Sequence, residues 1–123
     1  MSVAGLKQTY INVKGVQLYC EYELNNKPTI LFIHGFASSL YTFRKIVPLL
    51  KGKFSILAVD LPGFGRSEKS PSFIYSLENY ARVMIECLNY FRIEKAHIAA
   101  HSMGGQIALP MASNAPEKVG KLA

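Results

Sequence analysis

The sequence predicts an α/β protein: a mostly parallel sheet with helices on both faces, preceded by an N-terminal β-hairpin. Three observations carry this. First, Thr29 to Ile33, Phe54 to Val59 and Ala96 to Ala100 are short apolar runs, the length and composition of strands buried on both faces. Second, each run leads into a loop and then a helical pattern, the alternation that gives parallel strands with crossover helices. Third, two β-branched and aromatic runs, Tyr10 to Val13 and Val16 to Tyr22, are separated only by Lys14-Gly15. Glycine accepts a positive φ there, so the pair reads as a tight hairpin.

In chain order, Asn25-Asn26-Lys27-Pro28 is turn chemistry. The Thr29–Ile33 strand ends at His34-Gly35-Phe36-Ala37-Ser38-Ser39. Ser38 or Ser39 can cap a helix over Tyr41 to Lys51, with Phe43, Ile46, Val47 and Leu50 on one face and Pro48 kinking or shortening it. The Phe54–Val59 strand opens into the loop Asp60-Leu61-Pro62-Gly63-Phe64-Gly65-Arg66-Ser67. Ser76 can cap a long helix ending near Phe91, whose apolar face is Leu77, Tyr80, Ala81, Met84, Leu88 and Phe91. A third helix runs from Met103 to near Asn114, interrupted by Pro110 and ended by Asn114-Ala115-Pro116. Val119 to Ala123 reads as the lead-in to a further strand.

Length and composition narrow the classes. The 123 residues suit one domain, and half of them are hydrophobic against 18% charged, so the chain is globular. Its net charge of +6 comes from basic residues scattered along the chain, without the aromatic interleaving of a nucleic-acid platform. A solvated basic surface explains it, and no nucleic-acid partner is expected. Cys20 and Cys87 are isolated and read as buried free thiols of a reducing compartment. Met1 to Tyr10 lacks the apolar core of a signal peptide, and no apolar run is long enough to span a membrane. The expected address is the cytoplasm. No metal-ligand cluster or phosphate-cradling glycine loop appears, so no metal and no cofactor is expected.

The most informative stretch is Ala99-Ala100-His101-Ser102-Met103-Gly104-Gly105. A serine between a buried strand and a helix has the geometry of a nucleophile elbow, in which a sharp turn pushes the hydroxyl beyond the end of the sheet. Small residues two positions either side let strand and helix pass closely; here they are Ala100 and Gly104, alanine standing where the G-x-S-x-G pattern has its first glycine. The helix N-terminus points free N–H groups at an anion forming beside the serine. Three loops, from His34, Asp60 and Ser102, then leave the carboxyl ends of three parallel strands, the edge where open α/β sheets bind ligands.

Together, His34-Gly35-Phe36, the Asp60–Ser67 loop and Ala100-His101-Ser102-Met103-Gly104-Gly105 resemble the α/β-hydrolase superfamily, in its serine esterase and lipase-like branch, from about Tyr10 onward. The resemblance implies hydrolysis of a small ester-like substrate, a carboxylic ester first and a thioester or amide as related acyl bonds, through an acyl-enzyme with Ser102 as nucleophile. It implies an oxyanion hole from the backbone N–H groups of Phe36 and Met103, with His34, Gly35, Ala100, His101 and Gly104 shaping the site. Asp60 then caps local backbone rather than acting as the triad acid. His101, though adjacent to the serine, diverges from it on the turn and packs; His97 is a core or strand-end histidine; His34 holds its loop. Serine at the elbow argues against the relatives that use a carboxylate there, the haloalkane dehalogenases and epoxide hydrolases.

The same family places its acid and then its histidine after the nucleophile. Met103 to Ala123 contain no histidine and a single acid, Glu117, at a helix end, so the triad acid and histidine are not in this chain. The expectation is that residues 1–123 form the amino-terminal part of a single α/β-hydrolase domain, a truncated core whose later strands and cap are absent, and that the outer edge of Ala96–Ala100 has no partner. Two consequences follow: a complementary carboxy-terminal half, or self-association through the unpaired edge. The rival expectation is a catalytically inactive piece that only binds such a half.

Overall fold

A computed structural model describes residues 2–3 and 5–123. Its strands are β1 (Lys7–Val13), β2 (Val16–Glu23), β3 (Thr29–Ile33), β4 (Ser55–Val59), β5 (Ala96–Ala100) and β6 (Val119–Leu122). They form one sheet in the order β1-β2-β4-β3-β5-β6. The β1–β2 and β2–β4 pairings are antiparallel; β4–β3, β3–β5 and β5–β6 are parallel. The helices are α1 (Val47–Leu50), α2 (Leu77–Tyr90) and α3 (Met103–Asn114), with 3-10 turns at Leu40–Phe43 and Pro116–Lys118.

The β1–β2 hairpin turns on two residues, with φ of 50° at Lys14 and 82° at Gly15. Two positive φ angles give the mirror-image turn whose twist matches the strands. Asn12 Oδ1 accepts from the Gly15 N–H at 3.1 Å and closes it.

The two-residue period of the strands divides the core. Leu31 and Ile33 of β3, Leu57 and Val59 of β4 and Ile98 of β5 face α2 and α3. Ile30, Phe32, Ile56 and Ala58 face the other way, under Leu40, Phe43 and Val47. Helices therefore cover both faces, and the central strands have no polar side to show. Fully buried side chains such as Phe32, Leu31 and Ile56 each contribute about 2 kcal/mol by leaving water. Cys20 and Cys87 are buried and free. Burial raises the Cys20 thiol to about 12, with a smaller push from Asp60, and holds Cys87 well above the ordinary thiol range.

Several sequence expectations need correction. Tyr41 to Lys51 is not one helix. The Ser39 hydroxyl accepts from the Tyr41 N–H and caps the Leu40–Phe43 turn, and Pro48 lies in the first turn of the separate α1. A first-turn proline lacks only an N–H that would have no partner, so Pro48 opens a helix rather than bending one. Pro110 does not interrupt α3, which continues to Asn114. The carbonyl that loses its donor belongs to Gln106, an exposed residue. Leu77 is 40% exposed and lies off the buried face of α2, which includes Val83 and Cys87 instead. Finally, β5 is not an edge. Val119 pairs with Ala96 and Leu122 with Ile98, and the Ala100 N–H donates to the Ala123 carbonyl at 2.9 Å. The terminal strand on that side is β6.

Candidate active site

The site is built on the turn from β5 into α3. Ser102 has φ 58° and ψ −119°, a conformation that L-residues enter only under constraint. The constraint is a set of backbone bonds. His101 N–H donates to the Ile33 carbonyl (3.1 Å), Gly104 N–H to the His101 carbonyl (3.0 Å) and Gly105 N–H to the Ser102 carbonyl (2.9 Å). The turn is thereby pressed onto the end of β3, and Ser102 is left exposed at the head of α3.

Glycine at 104 is required by this contact. A Cβ there would stand 2.3 Å from the Ile33 carbonyl oxygen and 3.1 Å from that of His34. Gly105, one residue on, has nothing within 4 Å of the same position. Ala100 pairs with Ile33 and is half-buried, which accommodates its methyl. A Cβ on Gly35 would lie 3.0 Å from the Ser102 Cβ, so the His34-Gly35 loop rests directly against the elbow.

His34 fixes that loop. It is fully buried; its Nε2 accepts from the Leu61 N–H at 2.9 Å, which leaves the proton on Nδ1, 2.7 Å from the Gly35 carbonyl oxygen. Burial pushes the His34 pKa below its ordinary value, against the upward pull of the Gly35 hydrogen bond and Asp60, so the ring is neutral. The Gly35 carbonyl also accepts from the Ser38 N–H (3.3 Å). In a trans peptide the N–H points opposite the carbonyl, so anchoring this oxygen aims the Phe36 N–H. Among the described residues, neither the Phe36 nor the Met103 N–H has a hydrogen-bond partner.

Phe36 and Met103 both line an open cavity of about 340 Å³, with Phe64, Tyr75, Tyr80 and Lys69. The ring of Phe64 meets both Phe36 and His34 edge-on, at 5.5 and 5.8 Å between centroids. Tyr80 is anchored by its hydroxyl, which donates to the Pro62 carbonyl (3.1 Å); burial and then Tyr75 raise its pKa to about 12. The cavity is an apolar pocket with one cation at its rim. Sequence reading passed over it, although Phe64, Phe73, Tyr75 and Tyr80 cluster visibly between a strand and a helix.

Other predicted positions lie elsewhere. Asp60 is buried, with Oδ1 accepting from Leu40 N–H (2.7 Å) and Oδ2 from Arg66 N–H (2.9 Å). His97 Nδ1 accepts from the Lys121 N–H at 2.9 Å and ties β5 to β6. Glu117 precedes β6, which runs parallel to β5, so it sits at the opposite edge of the sheet from Ser102. His101 is exposed, and no hydrogen bond joins it, His34 or His97 to Ser102 among the described residues. Glu21 was not anticipated as a buried group; it accepts from Val3 N–H (2.7 Å) and from the Tyr19 hydroxyl, which in turn accepts from Arg66 (2.9 Å).

Comparison with known proteins agrees with this architecture. The family described as alpha/beta hydrolase fold matches residues 28–123, and the chain belongs to it. An uncharacterized hydrolase of Bacillus subtilis, YugF, is 45% identical over 111 residues, 89% of this chain and 41% of that protein. Bifunctional epoxide hydrolase 2 of Sus scrofa is 34% identical over 119 residues, 94% of this chain and 21% of that protein. A crystal structure of a membrane phospholipase A, described as a bacterial virulence factor, superposes with TM-score 0.92 at 30% identity, over 98% of this chain and 39% of that one. The chain thus spans less than half the length of these relatives. It is similar to hydrolases, and no helix among its described residues is long and apolar enough to cross a membrane.

Proposed function

We propose that this chain carries the nucleophile and oxyanion-binding part of a serine hydrolase that cleaves carboxylic esters through an acyl-enzyme. The observation that supports it is the elbow: an exposed hydroxyl held at φ 58° on a helix N-terminus, against a glycine loop and beside an apolar cavity. Ser102 Oγ attacks the ester carbonyl carbon, and the carbonyl oxygen takes the negative charge. The Phe36 and Met103 N–H groups receive that charge; losing one such donor costs about 3 kcal/mol of barrier. Collapse expels the alcohol and leaves the acyl group on Ser102, for water to release. The apolar cavity takes the acyl group. The proton leaving Ser102 needs a base, and His34 is committed at both ring nitrogens. The base comes from beyond these residues. A hydroxyl at the elbow, rather than a carboxylate, favours acyl transfer over the chemistry named for the porcine relative.

A fluorophosphonate probe tests this. Label should map to Ser102 by mass spectrometry and vanish in Ser102→Ala, and its rate should rise when a complementary chain supplies a base. Label on another serine, unchanged in Ser102→Ala, overturns the proposal.

A second reading is association without catalysis, favoured by the position of β6 at the end of the sheet order and by exposed Leu122. Sedimentation would then show a dimer or a stable complex, with no labelling in any mixture.

A further inference from the structure

A second depression, of about 310 Å³, lies where the hairpin turn, the loop before α2 and the first turns of α2 meet. Lys14 lines it from the turn and Arg82 from α2, and Ser72, Asn79, Phe73 and Ile74 are among the residues of its wall. No acid lines it, and neither cation makes an ion pair among the described residues. Two cations line this one concave surface, with Glu78 and Glu86 a turn to either side of Arg82 on α2, and their charge favours an anion there.

The walls are held in place. Lys14 sits in the closed two-residue turn. Asn79 caps the loop by donating from Nδ2 to the Ile74 carbonyl (2.9 Å), while its own N–H donates to Ser76 Oγ. Ser72 is paired with Ser70, and the Tyr75 hydroxyl donates to the Ser70 carbonyl (2.9 Å). Phe73 stacks on Tyr75 and Tyr80, with centroids 4.9 and 5.5 Å apart. Ile74 is 72% exposed, an apolar side chain in want of cover at the rim.

We propose that this depression binds a phosphate monoester carrying a small apolar body, with Lys14 and Arg82 on the phosphate and Phe73 and Ile74 against the body. A phosphate monoester near neutral pH approaches two negative charges, matching two cations where a carboxylate matches one. The planar guanidinium of Arg82 can take two phosphate oxygens at once, and the Lys14 ammonium acts as a point charge. The second Nδ2 hydrogen of Asn79 supplies a further donor. The site is independent of the catalytic reading, since it uses no residue of the elbow or the oxyanion loop.

Amide chemical shifts of the ¹⁵N-labelled chain, titrated with phenyl phosphate, test it. Saturable shifts should be confined to residues 14–16, 72–74 and 79–83. Lys14→Gln and Arg82→Gln, both at exposed positions, should each weaken binding about tenfold, and Lys121→Gln should leave it unchanged. Inorganic phosphate lacks the apolar body and benzoate lacks the second charge, so both should bind severalfold more weakly. Shifts scattered over the basic surface and insensitive to Arg82→Gln would mean general attraction to a chain of net charge +6, and would overturn the site. Benzoate or inorganic phosphate binding as tightly as phenyl phosphate would overturn the ligand class.

Discussion

The loop after β4 and the turn after β5 leave the same edge of the sheet, with only β3 between them. In the first, polar atoms are consumed internally. Both oxygens of Asp60 accept backbone N–H groups, the Ser67 hydroxyl donates to the Asp60 carbonyl (2.5 Å) while accepting from Tyr19 N–H (2.9 Å), and Leu61 N–H is taken by His34. In the second, the Ser102 hydroxyl is exposed and, among the described residues, the next amide has no hydrogen-bond partner. A buried carboxylate is the more conspicuous feature, yet it is spent on holding backbone. Capacity for chemistry lies where strain and close packing leave polar groups unpaired. His34 is neutral and ties the first of them to the loop after β3, with Nε2 accepting from the Leu61 N–H and Nδ1 donating to the Gly35 carbonyl.

The largest expected effect breaks the first loop. Asp60→Ala leaves the Leu40 and Arg66 amides unpaired in or near the core, at about 1–3 kcal/mol for each such group. A urea midpoint should report about 3 kcal/mol lost, and Asp60→Asn, which keeps one acceptor, about half of that. An unchanged midpoint would mean that the loop does not depend on its carboxylate.

Next in size is a paired test of the elbow. Gly104→Ala forces a methyl into the Ile33 carbonyl and should cost about 2 kcal/mol, as overpacking does. Gly105→Ala meets open space in a helix and should be neutral or stabilising by up to about 1 kcal/mol. Equal effects at the two glycines would show that α3 does not lie against β3 as described.

These two glycines show what was legible in the sequence. The elbow pattern marks a close passage, because small residues around a serine have no other local use. Thr29–Ile33 and Ala96–Ala100 were readable to the residue because turn residues bound an apolar run on each side. Tyr41–Lys51 was not, since helical spacing of Phe43, Val47 and Leu50 survives a break in the helix that only the backbone reveals. The partners of Asp60 and Glu21 were beyond reach for another reason. Leu40 and Val3 contribute backbone amides, which any residue type supplies, so composition carries no trace of them.

A smaller effect separates strain from chemistry at position 102. Ser102→Ala removes the hydroxyl and keeps a Cβ at φ 58°, whereas Ser102→Gly removes both. The glycine variant should therefore be more stable than the alanine variant by about 1 kcal/mol, with neither labelled by a fluorophosphonate. Equal stability would mean that the turn stores no strain at the serine.

The mildest prediction concerns His34, which ties the loop after β4 to the loop after β3. The His34 pKa is lowered from 6.5 in the folded chain, mainly by burial. Below 6.5 the unfolded chain binds a proton that the folded chain refuses, so protons favour unfolding. His34's contribution is whole above 6.5 and declines as pH falls below it, until the lowered folded value is reached. The urea midpoint should fall between pH 7.5 and pH 5, and the fall should be shallower in His34→Gln, whose side chain does not titrate. Lost bonds would weaken that variant at every pH, so only the slope is diagnostic. An equally steep slope in His34→Gln would assign the acid sensitivity to other groups and detach the His34-Gly35 loop from the ionisation state of this histidine.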